Sequence, residues 1–120
     1  YKETDHCVDD VHSKYYNKIV DSTGVDRDYQ SHEKMKFPKD YYKYGIVVDH
    51  NGITDGAKSI KGAGSCIFLH IKPIPTAGCT VMKEAQIKEI IRWLDETKKP
   101  LLVQGTKEIV KELMKHERIR

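Results

Sequence analysis

The feature that most constrains the fold of this chain is the run 65–71, in which apolar side chains lead up to His70. Because the run is short and rich in isoleucine and aromatic residues, it predicts a strand that is buried on both faces. Pro73 and Pro75 would end this strand, since proline donates no hydrogen bond to a sheet. Cys79 follows directly after a glycine. The sequence therefore predicts a buried strand whose end lies beside a Gly-Cys turn.

A cysteine and a histidine at this spacing are typical of acyl transfer through a thiol. A thiolate is a strong nucleophile, and we expect Cys79 to be partly exposed and His70 to take its proton. A lone strand histidine is more often structural, but this one lies at the end of its strand. His50, after Asp49, is the competing base, because it also follows a predicted strand. The backbone N–H groups of Cys79 and Gly78 would stabilise an oxyanion.

Residues with hydroxyl, carboxylate and carboxamide groups flank the candidate cysteine and histidines. Thr76 and Thr80 are predicted to contact substrate or to orient His70. Asp49 and Asn51 would hold the loop beside the site, although satisfying local backbone groups at a strand end explains them equally well.

Four segments resemble the catalytic domain family of L,D-transpeptidases (YkuD type), in its branch with a short spacer between histidine and cysteine. GSCIFLHI (64–71) and TAGCTVM (76–82) are similar to the catalytic signature. YGIVVDHN (44–51) and DDVHSKYYNKIV (9–20) resemble segments that the branch carries in the same order. The resemblance spans roughly residues 7–105.

The resemblance implies an α+β fold, mainly a β catalytic domain with C-terminal helices. It implies a thiol acyltransferase that cuts and rejoins peptidoglycan stem peptides without a cofactor. Such proteins act in the periplasm or cell wall, in cell-wall biogenesis and cell shape. An L,D-carboxypeptidase, a non-catalytic peptidoglycan-binding module and a cysteine hydrolase of unrelated esters or amides are the alternatives.

Two departures from the family pattern are visible. Thr76 stands where many relatives have serine, and Thr80 and Val81 follow the cysteine where relatives have an apolar residue and an arginine. Family domains also begin with a Gly- and Lys-rich segment that would precede Tyr1. We therefore expect the chain to be the C-terminal part of such a domain, lacking its N-terminal strands.

Length and charge bound the remaining possibilities. A chain of 120 residues predicts one domain, 1–120. The 21 basic residues are interspersed with 18 acidic ones, which argues against a nucleic-acid partner, because that needs a concentrated basic face. The sequence predicts no membrane span and no signal peptide. Since the first residue is not methionine, we expect an upstream segment to have been removed; oligomeric state is open.

Three cysteines cannot all be paired with one another, which suits one reactive thiol. Cys66 is predicted to be a small buried core residue, with a Cys66–Cys79 disulfide as the less favoured alternative. His6, Cys7 and the aspartates at 9 and 10 could be drawn as metal ligands. Zinc sites need more closely paired ligands, so a loose polar segment and no metal site are predicted there.

The rest of the chain predicts short elements. These are loops with one or two short elements over 1–43, a strand over 45–49, an exposed loop over 52–64, a short strand or helix start over 80–82, a helix over 83–96, a strand over 100–104 and a last helix capped by Thr106. The helix over 83–96 has isoleucines and a leucine at helical spacing. Trp93 beside that stripe is predicted to be a packing residue.

Overall fold

The computed structural model describes residues 1–36, 43–54, 58–71 and 79–117. Within these ranges the chain is α+β, as predicted: six short strands form two three-stranded sheets, and two α-helices follow. The elements are β1 (Asp5–Val8), β2 (Ile19–Asp21), β3 (His32–Lys34), β4 (Gly45–Val47), β5 (Phe68–Ile71), β6 (Thr80–Met82), α1 (Glu84–Trp93), a 3₁₀ turn (Glu96–Lys98) and α2 (Lys107–Glu117).

The first sheet has the antiparallel order β2-β1-β3. The prediction of a loose N-terminal segment was wrong, because His6, Cys7 and Val8 are buried on the central strand β1. Three consecutive buried residues give neither helical nor alternating periodicity, so no pattern distinguished this strand from a loop.

The second sheet has the order β4-β5-β6, with β4 antiparallel and β6 parallel to the central strand β5. Phe68, Leu69 and His70 are buried on β5, which confirms the prediction of a strand covered on both faces. The strand begins at Phe68 rather than at residue 65. Residues 80–82 form a strand, and the prolines at 73 and 75 lie outside the described residues.

A disulfide joins the two sheets. Cys7 of β1 is bonded to Cys66, just before β5, with their Cα atoms 5.9 Å apart. Cys66 is a buried core residue, as predicted, but the sequence did not predict its bond to Cys7. The alternative Cys66–Cys79 bond was wrong, because Cys79 is free. Met35 and Phe68 pack with the disulfide to form a core cluster between the sheets.

The helix α1 packs against β5 through its buried residue Ile87. The prediction that Trp93 packs in the core was wrong, since this residue is 75% exposed. Trp93 lies six positions after Ile87, which rotates it by about 240° around the helix axis, away from the packed face.

The C-terminal region is more exposed than its sequence pattern suggests. The predicted strand over 100–104 is wrong: these residues form no strand, and Leu101 is exposed. The predicted cap is confirmed, because the Thr106 hydroxyl accepts a hydrogen bond from the Ile109 N–H at 3.3 Å. Ile109, Leu113 and Met114 of α2 are exposed. Among the described residues, neither helix has the length and apolar character that crossing a membrane requires.

Candidate active site

Strand register places the two principal candidates, His70 and Cys79, on one face of the second sheet. Leu69 pairs with Thr80 across the parallel strands β5 and β6, and Cys79 directly precedes β6, so continuing this register by one residue would bring it beside Phe68. Side chains alternate along a strand, so Phe68 and His70 share a face, and residues opposite one another point to the same side. Cys79 indeed packs against the core cluster that contains Phe68. The predicted nucleophile and base therefore face the same side.

His70 has the hydrogen-bond arrangement of a ring that can accept a proton. It is 4% exposed, and its Nδ1 lies 3.2 Å from the Ile71 carbonyl oxygen. A carbonyl oxygen can only accept, so Nδ1 carries the proton. In the neutral ring this fixes the lone pair on Nε2, the nitrogen that could receive the proton of a thiol.

Cys79 carries the free thiol of the chain, because the other two cysteines are joined in the disulfide. It is half-buried, and its Sγ lies 3.4 Å from the Cys66 carbonyl oxygen, to which the thiol donates. The partial exposure matches the prediction for a nucleophile that a substrate can reach.

His50, the competing base, is held against a loop. Its ring Nε2 lies 2.8 Å from the Ala63 carbonyl oxygen and donates to it. The ring also covers Gly64, where an added Cβ would lie 2.8 Å from Nε2 and would displace the ring, and the φ of 102° at this position favours glycine. The choice between His70 and His50 as base stays a prediction, and the contacts show His50 bonded to the loop over 63–64.

The other predicted site residues fall in three places. Thr80 is half-buried, and its hydroxyl accepts a hydrogen bond from the Gln104 side chain at 2.6 Å. By strand alternation Thr80 points to the opposite face of the sheet from Cys79. Asp49 is exposed. Thr76 and Gly78 lie outside the described residues.

Asn51 holds the loop as expected. Its side-chain amide donates to the carbonyl oxygens of Ile60 and Gly64 at 2.8 and 2.9 Å, and its Oδ1 accepts from the Ile60 N–H at 2.8 Å. These bonds connect the turn after β4 to the segment that leads into Cys66.

The sequence did not predict that three consecutive residues between β1 and β2 hydrogen-bond to these loops. The Tyr16 hydroxyl accepts from the Gly62 N–H at 3.3 Å, and the Lys18 ammonium donates to the Gly52 carbonyl oxygen. Asn17 between them donates to the His50 carbonyl oxygen. Short polar segments carry no periodic signal; asparagine's tolerance of left-handed backbone was the available sign, because Asn17 has φ 58°.

Two concave surfaces adjoin the second sheet. A groove of about 460 Å³ is lined by Met82, Gln86, Glu89, Ile90 and Trp93. A depression of about 260 Å³ is lined by Tyr1, Met35, Lys43, Gly45, Ile46, Val47 and Phe68. The depression shares Met35 and Phe68 with the cluster on which Cys79 packs, so it adjoins the candidate site.

Comparisons with protein-family models, with curated proteins and with solved structures give no match to this chain. Within the described ranges, no three His, Cys, Asp or Glu side chains come together as a group that could hold a metal ion.

Proposed function

We propose that this chain is a cysteine-dependent L,D-transpeptidase domain that acts on peptidoglycan stem peptides through a thioester, in the periplasm or cell wall. The observation that carries the proposal is the packing of Cys79 against the core cluster that contains Phe68, whose side chain shares a face of β5 with that of His70. The resemblance of the segments around these two residues to the family signature supports the choice of substrate.

In the proposed reaction, His70 acts first as base. Its Nε2 takes the proton of Cys79, which must leave its hydrogen bond to the Cys66 carbonyl oxygen. The sulfur attacks the carbonyl carbon of an L-centre whose amide joins it to a terminal D-amino acid. The backbone N–H groups of Cys79 and Gly78 would stabilise the negative charge that develops on oxygen.

Collapse of this intermediate breaks the carbon–nitrogen bond. His70 returns its proton to the leaving nitrogen, and the D-amino acid departs while a thioester remains on Cys79. An amine of a second stem peptide then attacks the thioester and loses a proton to His70. The products are a cross-linked peptide and the regenerated thiol. Water in place of the amine gives carboxypeptidase activity by the same steps.

A tetrapeptide stem that ends in a D-amino acid tests the proposal directly. We expect the protein to release the D-amino acid and, with an acceptor amine present, to form the cross-linked peptide. The matched control is Cys79→Ala, which removes the thiol and keeps the small side chain. Release without cross-linking would identify a carboxypeptidase.

Two further outcomes would overturn the proposal. A protein that sediments with peptidoglycan sacculi but releases no D-amino acid is a binding module. A protein that leaves the stem intact but turns over a small activated ester through Cys79 is a hydrolase of another class.

A further inference from the structure

We propose that Asn17 is a positioning residue for the thiol of Cys79. It orients the Cys66 carbonyl group that accepts a hydrogen bond from this thiol, and it links that group to the loop that carries His50. The importance of the thiol rests on the proposed function, but the hydrogen-bond chain itself belongs to the structure. Asn17 comes from the first sheet region, remote in sequence from both partners.

Asn17 is a buried polar side chain with an unambiguous orientation. It is 0% exposed, so each of its polar atoms needs a partner. Its Oδ1 accepts from the Cys66 N–H at 2.9 Å, whereas its Nδ2 donates to carbonyl oxygens. Because an N–H only donates and a carbonyl oxygen only accepts, the amide can lie in one orientation alone.

The bond to the Cys66 N–H fixes a strained peptide. Cys66 has φ 56°, in the left-handed region that non-glycine residues seldom adopt. Two interactions hold it there: the bond from Asn17 to its N–H and the disulfide to Cys7. The carbonyl oxygen of the same residue accepts a hydrogen bond from the thiol of Cys79, with 3.4 Å between the oxygen and Sγ. The N–H and the carbonyl group of Cys66 belong to neighbouring peptide units joined at its Cα, so by holding the first unit Asn17 restricts the orientation of the second.

The other end of the Asn17 amide reaches the loop after β4. Nδ2 donates to the carbonyl oxygens of His50 and Asn51 at 3.0 and 2.9 Å. The backbone of Asn17 is anchored in turn, since its N–H donates to the Val8 carbonyl oxygen at 2.7 Å. Through its backbone and its carboxamide, Asn17 thus connects β1, the His50 loop and the backbone of Cys66, whose carbonyl oxygen accepts from Cys79.

This geometry has a measurable consequence for the thiol. A carbonyl oxygen that accepts the S–H proton stabilises the thiol over the thiolate. Removing the side chain that orients the carbonyl group should make the thiolate form at lower pH. The free energy of one hydrogen bond corresponds to a shift of about half a pH unit.

The test is the pH dependence of Cys79 alkylation by iodoacetamide, followed by mass spectrometry. Asn17→Gly keeps the left-handed backbone available and deletes the carboxamide. We expect its alkylation midpoint to lie about half a pH unit below that of the wild type. The matched control is Ser13→Ala, which deletes another buried polar side chain of the N-terminal region, one bonded to Asp28 and Tyr15. It should lower the melting temperature and leave the midpoint in place.

A second variant covers the case in which Asn17→Gly does not fold. Asn17→Ser keeps a small polar side chain at this buried position, but its hydroxyl is too short to span the Cys66 N–H and the His50 carbonyl oxygen. Its alkylation midpoint should also lie below that of the wild type. Midpoints equal to the wild type in the folded variants would overturn the inference. Failure of the proposed function gives a different result from failure of this inference. In that case the wild-type protein does not react with stem peptides, although iodoacetamide still alkylates Cys79.

Discussion

At the scale of single residues, the pairing of the cysteines decides which sulfur can react. Cys7 and Cys66 are bonded to each other, and Cys79 is half-buried and free. The sequence predicted that one thiol would be unpaired and that Cys79 would be that thiol. It could not identify the partner of Cys66, because the disulfide links residues 59 positions apart through contacts between two sheets.

We expect iodoacetamide to label Cys79 alone in the native protein. Only a thiolate reacts at a useful rate, and disulfide sulfurs offer none. Mass spectrometry of the alkylated protein checks this, with Cys79→Ala as the unlabelled control. Labelling of Cys66 in the absence of a reductant would show that the disulfide does not form.

The identity of the base is the second prediction at this scale. If His70 serves Cys79, His70→Ala should slow thioester formation by roughly 10²–10⁴-fold, the usual effect of a positioned acid–base group. His50→Ala removes the bond to Ala63 and should cost much less. Single-turnover acylation measures both rates. The reverse order of effects would assign the base to His50.

The sequence indicated candidate site residues that lie close together in the chain, but it did not indicate residues whose contacts are far away in the sequence. His70 and Cys79 lie nine positions apart beside a predicted strand, so the expectation that they belong to one site came from local sequence, and it stays a prediction. Asn17 acts on Cys66, 49 positions away, and nothing in a single sequence links two such positions. The prediction for Trp93 was wrong because it did not take into account the angle around the helix axis between Trp93 and the face that packs against β5.

At the scale of elements, β1 and β3 bring two histidines into contact. The rings of His6 and His32 stack at 3.8 Å, and the His6 Nδ1 lies 2.9 Å from the Tyr29 hydroxyl. Burial, more than the nearby positive charges, lowers the pKa of both histidines below the usual value. The charged groups that face them are Asp5, Asp9, Asp21, Arg27 and Lys34.

This stack predicts that the protein loses stability in mild acid. Both histidines bind protons more weakly in the folded state, so the unfolded state takes up more protons as the pH falls below about 6.5. The contribution of these two histidines to the free energy of unfolding is therefore fully present above that pH. It declines as the pH falls toward their lowered pKa values in the folded state. Melting temperatures measured between pH 7.5 and 5 should decrease.

His32→Phe provides the specific check, because it keeps a ring for stacking and removes one titrating group. Its melting temperature should depend less on pH than that of the wild type. His12→Gln, a change at an exposed histidine, should leave the dependence unchanged. The aspartates with lowered pKa values, Asp10, Asp21 and Asp28, titrate in stronger acid and do not affect this window. Equal slopes in wild type and His32→Phe would contradict the account.

Elements with strong patterns were predicted better than those without. The apolar run that contains β5 and the periodic helix α1 were expected, with boundaries that differ by a few residues. The three strands of the first sheet are three or four residues long, too short for alternation to show. Their pairing depends on tertiary contacts that a local pattern does not contain.

At the scale of the whole molecule, the disulfide is the covalent link between the two sheets. Closing a loop between residues 59 positions apart removes unfolded-chain entropy worth about 4 kcal/mol in the chain-entropy model. We expect the double variant Cys7→Ala, Cys66→Ala to lose stability of about this size in urea unfolding. Wild-type protein in which a reductant has broken this disulfide should lose a similar amount of stability. An unchanged midpoint would show that core packing alone holds the sheets together.

The most direct test of the central claim is acylation of Cys79 by a carbapenem. Its strained ring carbonyl resembles an activated form of the stem-peptide amide, and ring opening adds the whole molecule to the thiol. We expect a covalent adduct in the intact mass of the protein, mapped to Cys79, lost in Cys79→Ala and formed much more slowly in His70→Ala. Protein that iodoacetamide labels at Cys79 but that forms no carbapenem adduct and releases no D-amino acid would contradict this claim.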